Sequence, residues 1–276
     1  MLRGRRANPS WLVLAAMLAV AVLPASLRAQ TVSTNPSYTV ASIVHAATQT
    51  VEALAPNTIA TVYGTNLSYT TRSIAASDLN GGTLPTSLDG VGVTVNGIPA
   101  NLFFVSPGQI NFLIPYELAP GVVTLYVARQ GLAGPVVKIQ LNSTAPGLFP
   151  WGGNLAIATH LNGSLISAAS PAAGGEIIVI YAAGLGRTTP DTTSGRVAPA
   201  AAEILAAPQM QVMLAGTSVP PANILYAGLA PGFAGLYQIN LKLPAGLPVN
   251  PEIRIAIGSQ ISPALVQLAA GAPAQP

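Results

Sequence analysis

The fold is decided by a short segment that occurs twice, as GQINFLIP at residues 108–115 and as YQINLKLP at residues 237–244. In each copy apolar side chains alternate with polar ones, which is the pattern of a β-strand with one buried face. Ile110 and Phe112 form that face in the first copy, and Ile239 and Leu241 form it in the second. The segment therefore predicts two equivalent strands in distant parts of the chain.

Further matches extend the repeat on both sides of this segment. TVYGTNL at residues 61–67 corresponds to VIYAAGL at 179–185, and NGIPANLFF at 96–104 corresponds loosely to a region ending in PANILY at 221–226. The spacing between copies drifts, which predicts insertions in the second copy, most clearly around residues 228–235. A period of about 120 residues predicts two tandem domains and not a solenoid of small repeats.

Both copies have the sequence features of β structure. Residues 91–95 run into Asn96-Gly97, a two-residue hairpin signal because both turn positions need positive φ. Residues 252–257 alternate between isoleucine and other side chains, and 27 Gly with 25 Pro leave little room for long helices. Residues 198–207 are rich in alanine, which predicts a short helix, with an irregular connection as the alternative. The fold class is therefore all-β, two tandem immunoglobulin-like β-sandwich domains, with a β-barrel as the alternative.

The N-terminal region is typical of a secretory signal peptide. Met1–Arg6 is basic, Trp11–Leu23 is apolar, and Ala29 supplies a small residue before the expected cleavage point. An uncleaved anchor is the alternative. We predict a signal peptide at 1–29, a first immunoglobulin-like domain at 30–143, a second at 144–268, and a flexible tail at 269–276.

Charge excludes a nucleic-acid binder. The chain has 11 Lys and Arg against 8 Asp and Glu, a net charge of +3. Four of the arginines lie in the predicted signal peptide: Arg3, Arg5, Arg6 and Arg28. Removing them leaves 7 basic residues against 8 acidic ones, so the remaining chain lacks the basic patch that nucleic-acid binding needs.

The repeat units resemble a known type of domain. Residues 54–56 followed by 62–67 resemble the opening of IPT/TIG-type immunoglobulin-like domains. The run from about residue 42 to residue 268 is similar to the Solibacter uncharacterised C-terminal domain family of secreted acidobacterial proteins. VSPGQINF at 105–112 and YAGLAPGF at 226–233 carry that resemblance. It implies a secreted location and two IPT/TIG-like β domains, and it implies no activity.

The sequence predicts no catalytic residue, no metal site and no cofactor. Cysteine is absent, and neither histidine has an acid or another histidine within five residues. A secreted carbohydrate-active or other hydrolytic enzyme using Asp89, Glu117 or Glu176 is the alternative. It requires two carboxylates, or His160 and a carboxylate, to meet in a cleft. The acidic turns near Asp78 and Asp89 also contain calcium-type oxygen ligands, although an ordinary turn is expected there.

The repeated Gln-x-Asn pairs are the candidate binding residues. Gln109/Asn111 and Gln238/Asn240 point away from the apolar face of their strands. One interpretation is structural, with the amides hydrogen-bonding a neighbouring loop and fixing the edge of a sandwich. The other is a ligand surface for a glycan or partner chain, formed with Tyr226, Phe233 and Tyr237. Phe233 and Trp151 are each expected in the seam between the two domains, with an exposed loop tip as the alternative for Phe233.

The sequence as a whole predicts a secreted, non-catalytic interaction or adhesion module, located at the cell surface, in the periplasm or outside the cell. Its expected partner is an envelope or extracellular protein or a glycan. No nucleic acid and no membrane span after signal cleavage are expected. Besides the enzyme, a structural spacer or a subunit of a surface polymer is an alternative, which would assemble through exposed strand edges.

Overall fold

The computed structural model describes residues 34–271 of the 276-residue chain. The predicted signal peptide at 1–29 lies outside the described residues, as do residues 272–276 of the predicted tail. Among the described residues the only helices are 3-10 turns of three residues each, at Val40–Ser42, Ala76–Asp78, Ala207–Gln209 and Pro221–Asn223. The rest of the regular structure is β, and the prediction of an all-β fold is confirmed at that level.

The strands are short and numerous, as the frequent Gly and Pro residues require. Those of the N-terminal half are β1 (Ile43–His45), β2 (Ile59–Tyr63), β3 (Arg72–Ser73), β4 (Val91–Val95), β5 (Ile98–Pro99), β6 (Asn101–Val105), β7 (Gln109–Leu113), β8 (Gly121–Arg129), β9 (Leu132–Ala133) and β10 (Val137–Leu141). Those of the C-terminal half are β11 (Gly147–Leu148), β12 (Pro150–Trp151), β13 (Leu155–Ala156), β14 (Ala158–His160), β15 (Ile177–Ala183), β16 (Thr188–Thr189), β17 (Ala202–Ile204), β18 (Met210–Leu214), β19 (Thr217–Ser218), β20 (Ile224–Leu229), β21 (Tyr237–Lys242), β22 (Ile253–Ile257) and β23 (Gln260–Ile261).

The N-terminal half has two antiparallel sheets. One has the order β1-β2-β7-β6-β3, and the other has the order β10-β8-β4-β5 with β9 on β8. One buried apolar cluster joins them, with Val62, Ile110 and Phe112 from the first sheet and Val93 and Leu125 from the second. Burial of each such side chain stabilises the fold by about 1.5–3 kcal/mol.

The C-terminal half repeats this arrangement with its own apolar cluster. Its larger sheet has the order β11-β15-β21-β20-β17-β16 with β14 on β15, and its second sheet has the order β19-β18-β22-β23. Ile180, Ile239 and Leu241 of the larger sheet pack in one cluster with Val212 and Ile255 of the second. A separate two-stranded hairpin joins β12 and β13.

The strands that carry the sequence repeat occupy equivalent places in the two halves. β7 lies between β2 and β6, and β21 lies between β15 and β20. The pairing of β6 with β7 shifts register between Leu102 and Phe104, and that of β20 with β21 shifts between Ile224 and Tyr226. The two halves therefore share a register shift in the corresponding strand pair. The two halves nevertheless form part of one compact unit, and the division at 143/144 and the immunoglobulin-like topology stay predictions.

Local predictions were right at the hairpin and wrong at two other places. β4 pairs with β5 across Asn96 (φ 49°) and Gly97 (φ 83°), as the sequence predicts. The helix predicted at 198–207 is wrong, because Ala202–Ile204 pairs with both β16 and β20 as a strand. The predicted tail begins too early, because Ala269 and Ala270 are buried and Ala172 N–H donates to the Ala269 carbonyl at 2.9 Å.

Candidate functional site

The two halves meet along a junction that is rich in hydrogen bonds. Tyr237, at the start of β21, is fully buried, and its hydroxyl accepts from Asn57 Nδ2 at 3.0 Å and donates to the Gly186 carbonyl. Desolvation by burial raises the pKa of the Tyr237 hydroxyl, so it stays protonated and keeps both bonds. Tyr237 therefore belongs to the junction and not to the predicted ligand surface.

A loop of the C-terminal half docks on the end of the N-terminal half. Tyr116 donates its hydroxyl proton to Asp191 Oδ1 at 2.5 Å, and its backbone N–H donates to Ser194 Oγ at 2.7 Å. The Ser194 hydroxyl in turn donates to Glu117 Oε2 at 2.6 Å. The polar turn predicted at 191–195 is thus a docking loop, and it fixes the side chains at one end of the junction.

His45 lies at the point where the chain passes from one half to the other. Only 2% of it is exposed. Its Nε2–H donates to the Ala145 carbonyl at 3.1 Å, and its Nδ1 accepts from the Ala47 N–H at 3.1 Å. Desolvation lowers the pKa of His45 to about 4, against a smaller opposing effect of the hydrogen bonds to backbone carbonyls. The neutral imidazole is therefore a structural part of the junction.

Beside these contacts lies a cleft of about 790 Å³, which we call the junction cleft. Its size falls in the range of small-molecule sites, which are often found where two structural units meet. Both halves contribute to its lining, which consists of Pro56, Glu117, Leu118, Ala119, Pro120, Gly121, Gln140, Leu141, Asn142, Ser143, Thr144, Leu185, Arg187, Leu205, Ala206, Gln209, Ile257, Gly258, Ser259 and Gln260.

Amides and hydroxyls dominate the polar part of this lining. Asn142 at the end of β10 donates from Nδ2 to Gln260 Oε1 of β23 at 3.0 Å, which joins the two halves at the cleft wall. Gln140 and Gln209 add two further amides, one from each half. Each amide carries both donors and acceptors. Leu205 is 57% exposed and adds apolar surface, whereas Leu141, Leu185 and Ile257 are buried in the cleft wall.

Of the two charged side chains of the cleft, Arg187 is ion-paired and Glu117 is hydrogen-bonded to a serine. Arg187 donates to Asp191 Oδ2 at 2.5 Å and lies 5.1 Å from the centre of the Tyr116 ring. The Tyr116 hydroxyl and then Arg187 hold the pKa of Asp191 below its usual range. Glu117 accepts from the Ser194 hydroxyl and N–H. The cleft therefore offers mainly neutral hydrogen-bonding groups to a ligand.

The predicted Gln-x-Asn pairs lie on the outer faces of the two repeat sheets, and their amides bond each other. Gln109 Nε2 donates to Asn111 Oδ1 at 2.8 Å, and Gln238 Nε2 donates to Asn240 Oδ1 at 3.3 Å. The Thr61 hydroxyl also donates to Asn111 Oδ1, at 3.1 Å. The bonding runs within the sheet and not to a neighbouring loop, and each pair is half-buried.

Of the predicted aromatic partners of these amides, Tyr226 lies beside them in the sheet. Tyr226 lies opposite Asn240 in the sheet, but its hydroxyl donates to the Leu229 carbonyl at 2.8 Å and accepts from Ala202 N–H at 3.0 Å. Phe233 is 54% exposed and Trp151 is 45% exposed, so the seam positions expected for both are wrong. Gly235, two residues after Phe233, makes the close contact instead, because its small size lets the loop approach Leu113.

The acidic turns of the N-terminal half pair with an arginine. Arg72 donates to Asp78 Oδ1 at 2.5 Å and to Asp89 Oδ1 at 2.7 Å, and the Thr70 hydroxyl donates to Asp89 Oδ2 at 2.6 Å. These bonds lower the pKa of Asp89, with that from Thr70 contributing most. The Arg72 guanidinium therefore lies between the two carboxylates, where a calcium ion would have to bind. Within residues 34–271 no group of three or more His, Asp or Glu side chains is placed to hold a metal ion.

One pairing meets the criterion set for the enzyme alternative. His160 at the end of β14 contacts Glu176 through Nδ1, and its Nε2 lies 3.2 Å from Ser170 Oγ. These residues line a shallow depression of about 400 Å³. Glu176 lies sixteen positions after His160 in the chain. The pair is therefore not visible as a local sequence motif.

Sequence reasoning also missed the junction cleft. Its lining comes from short segments between Pro56 and Gln260 that no single motif connects. The one available signal was the polarity of the segments around the predicted boundary, such as QLNST at 140–144. Among residues 34–271, moreover, no helix is both long enough and apolar enough to cross a membrane.

Comparisons with known proteins give distant similarities only. No protein-family model and no curated protein matches the chain, so the resemblance to the Solibacter family stays a prediction. A surface glycan-binding protein from Prevotella bryantii is 12% identical over 76% of this chain and 36% of that one, with a TM-score of 0.25. SGBP-B of a xyloglucan utilization locus in Bacteroides uniformis is 11% identical over 85% and 49%, with a TM-score of 0.27. The plexin A4 extracellular region is 11% identical over 91% and 20%, with a TM-score of 0.29.

This chain spans less than half the length of each of those three proteins. Likenesses at this level establish no shared function.

Proposed function

We propose that the protein is a secreted binding module that takes a neutral, hydroxyl-rich ligand of the glycan class in the junction cleft, and that this cleft has no catalytic role. The observation that carries this proposal is the cleft itself, about 790 Å³ in volume, with amides from both halves in its wall. In this proposal the two halves are tandem domains of immunoglobulin type, and their junction is the working part of the molecule.

The chemistry of the lining favours a sugar over a charged ligand. Sugar hydroxyls donate and accept hydrogen bonds, as do the amides of Gln140, Asn142, Gln209 and Gln260. Apolar patches of a sugar ring can pack on the exposed side chain of Leu205. Because Arg187 is already paired with Asp191, an anionic ligand would find no free cationic partner among the lining side chains.

Export and composition agree with this function. The N-terminal sequence is that of a secretory signal, and the chain that would follow is nearly neutral and poor in charge. The outer faces with their Gln-x-Asn pairs are a second possible contact surface. Those amides bond each other and lie on sheet faces, whereas the cleft amides line a concave site.

A glycan array with a cleft-blocking variant tests the proposal. Ser259 is exposed at the cleft wall, so Ser259→Trp should fill part of the cleft without disturbing the core. Ser218→Trp is the matched control, because Ser218 is also exposed, lies in β19 at the opposite edge of the same sheet, and does not line the cleft. We expect neutral glycans to bind the natural protein and the control and to bind Ser259→Trp at least about tenfold more weakly, a loss of about 1.4 kcal/mol.

Two results would overturn the proposal. One is an array on which no neutral glycan binds the natural protein. The other is equal binding by Ser259→Trp and Ser218→Trp, which would place the ligand outside the cleft. Thermal unfolding of both variants shows whether each is folded before binding is compared.

A further inference from the structure

We infer that Ser170 is an activated nucleophile that accepts an acyl group from short-chain carboxylic esters, with His160 as its general base and Glu176 as the group that orients the base. The site is separate from the proposed binding function, because none of the residues that line its depression lines the junction cleft. The glycan-binding proposal and the inference about Ser170 can therefore be tested and refuted independently.

The tautomer of His160 follows from its contacts. A carboxylate can only accept hydrogen bonds, so the neutral imidazole must carry its proton on Nδ1, facing Glu176. Nε2 then holds the lone pair and can only accept. Two oxygens lie near it, Ser170 Oγ at 3.2 Å and the Ser170 carbonyl at 3.3 Å. Only the hydroxyl has a proton to donate, so the bond formed is Ser170 O–H to Nε2.

The remaining contacts hold the three groups in place. The other oxygen of Glu176 accepts from the Ala173 N–H at 2.9 Å, which fixes the carboxylate. The Ser170 carbonyl already accepts from the Ser167 N–H at 3.0 Å, in a short antiparallel turn that presents the exposed Ser170 side chain. His160 lies in β14 opposite Ile178, so its backbone is fixed by the larger sheet. Ser170 thus bonds to His160, and His160 bonds to Glu176. This arrangement of nucleophile, base and orienting acid is that of an activated serine.

The depression also holds a hydrogen-bond donor and an apolar wall. Asn162 Oδ1 accepts from both the N–H and the hydroxyl of Ser164, at 2.9 and 2.7 Å. The amide N–H groups of Asn162 then remain to stabilise an oxyanion, a role in which side-chain amides are effective. Leu161 is 65% exposed in the same depression and would contact a short acyl chain.

The reaction is an acyl transfer with water as the final acceptor. Ser170 Oγ attacks the ester carbonyl carbon while its proton moves to His160 Nε2. The alkoxide leaves and takes that proton, which leaves the acyl group bonded to Ser170. A water molecule then gives its proton to Nε2 and attacks the acyl carbon. The carboxylic acid departs as Ser170 recovers its proton, and no oxidant or reductant is needed.

A fluorophosphonate probe and p-nitrophenyl acetate test this inference on the full protein. In the probe reaction, Ser170 Oγ displaces fluoride from phosphorus and becomes phosphonylated. We expect one label per chain, mapped to Ser170 by peptide mass spectrometry. Ser170→Ala should lose the label, and Ser218→Ala, a matched exposed serine outside the depression, should retain one label per chain.

Variants of the residues around Ser170 show whether Ser170 is activated or only exposed. We expect His160→Gln to lower the rates of labelling and of ester hydrolysis by about 10² or more, the usual contribution of a general base. Glu176→Gln should lower both by at least about tenfold, and Asn162→Ala should slow ester hydrolysis by at least about tenfold through loss of an oxyanion donor. Absence of label on the natural protein, a label on a residue other than Ser170, or equal rates in His160→Gln would overturn the inference.

Discussion

Acidification should weaken the junction through His45. Its imidazole is neutral in the folded protein, and both ring nitrogens are used, Nε2 as donor to Ala145 and Nδ1 as acceptor from Ala47. Protonation of Nδ1 would place its new N–H against the Ala47 N–H and bring a charge into a buried site. In the unfolded chain the same side chain titrates at its ordinary value of 6.5.

The sign of the effect follows from proton uptake. Between pH 6.5 and about 4 the unfolded chain has a protonated His45 and the folded protein does not, so lowering the pH favours unfolding. The stability that depends on neutral His45 is fully present above pH 6.5 and is lost as the pH falls toward about 4. At about 1.4 kcal/mol per pH unit, this shift corresponds to about 3 kcal/mol.

Urea unfolding followed by far-UV circular dichroism from pH 7 to pH 4.5 measures this loss. His45→Gln removes the titrating group, so subtracting its pH profile from that of the natural protein isolates the contribution of His45. We expect the natural protein to lose about 2 kcal/mol more than the variant over this range. Parallel profiles for the two proteins would show that His45 is not buried neutral at the junction, and would refute the reasoning.

Three further predictions concern the junction and its ligand. Tyr237→Phe should cost about 1–3 kcal/mol of unfolding free energy, because it leaves the buried Asn57 amide without an acceptor. Gly235→Ala should lower the free energy of unfolding by about 2 kcal/mol more than Gly232→Ala does. Both glycines have positive φ, but only at Gly235 would the new Cβ lie 2.2 Å from Leu113 Cδ1. Equal denaturation midpoints for the two variants would contradict this. Glycan affinity measured by calorimetry should change less than about threefold between 50 and 500 mM NaCl, because few charges are available to screen.

The period-two strands could be predicted because their signal is local. Tyr237–Lys242 and Ile253–Ile257 alternate in the sequence and alternate in burial in the structure. The segment at 198–207 shows the limit of such reasoning. Its alanines favour a helix in isolation, but pairing of Ala202–Ile204 with strands on both sides overrides that preference.

The sites could not be predicted in the same way because they depend on distant residues. Asn142 meets Gln260 across the cleft only after both halves have folded. Similarly, Glu176 reaches His160 because β14 and β15 pair, which brings residues sixteen positions apart together. The Gln-x-Asn motif was found because it is local, and its strand positions were placed correctly. Its hydrogen bonds, including that from Thr61 to Asn111, could not be predicted without knowing the strand register.

The central claim is that the junction cleft, and not the outer sheet faces, holds a neutral glycan. Titration of isotope-labelled protein with a neutral oligosaccharide that binds on the array, followed by NMR of the side-chain amide groups, tests it most directly. We predict that the NH₂ signals of Gln140, Asn142 and Gln260 shift in a saturable way while those of Gln238 and Asn240 stay in place. Shifts confined to Gln238 and Asn240, or no amide shifts at a saturating concentration, would contradict the claim.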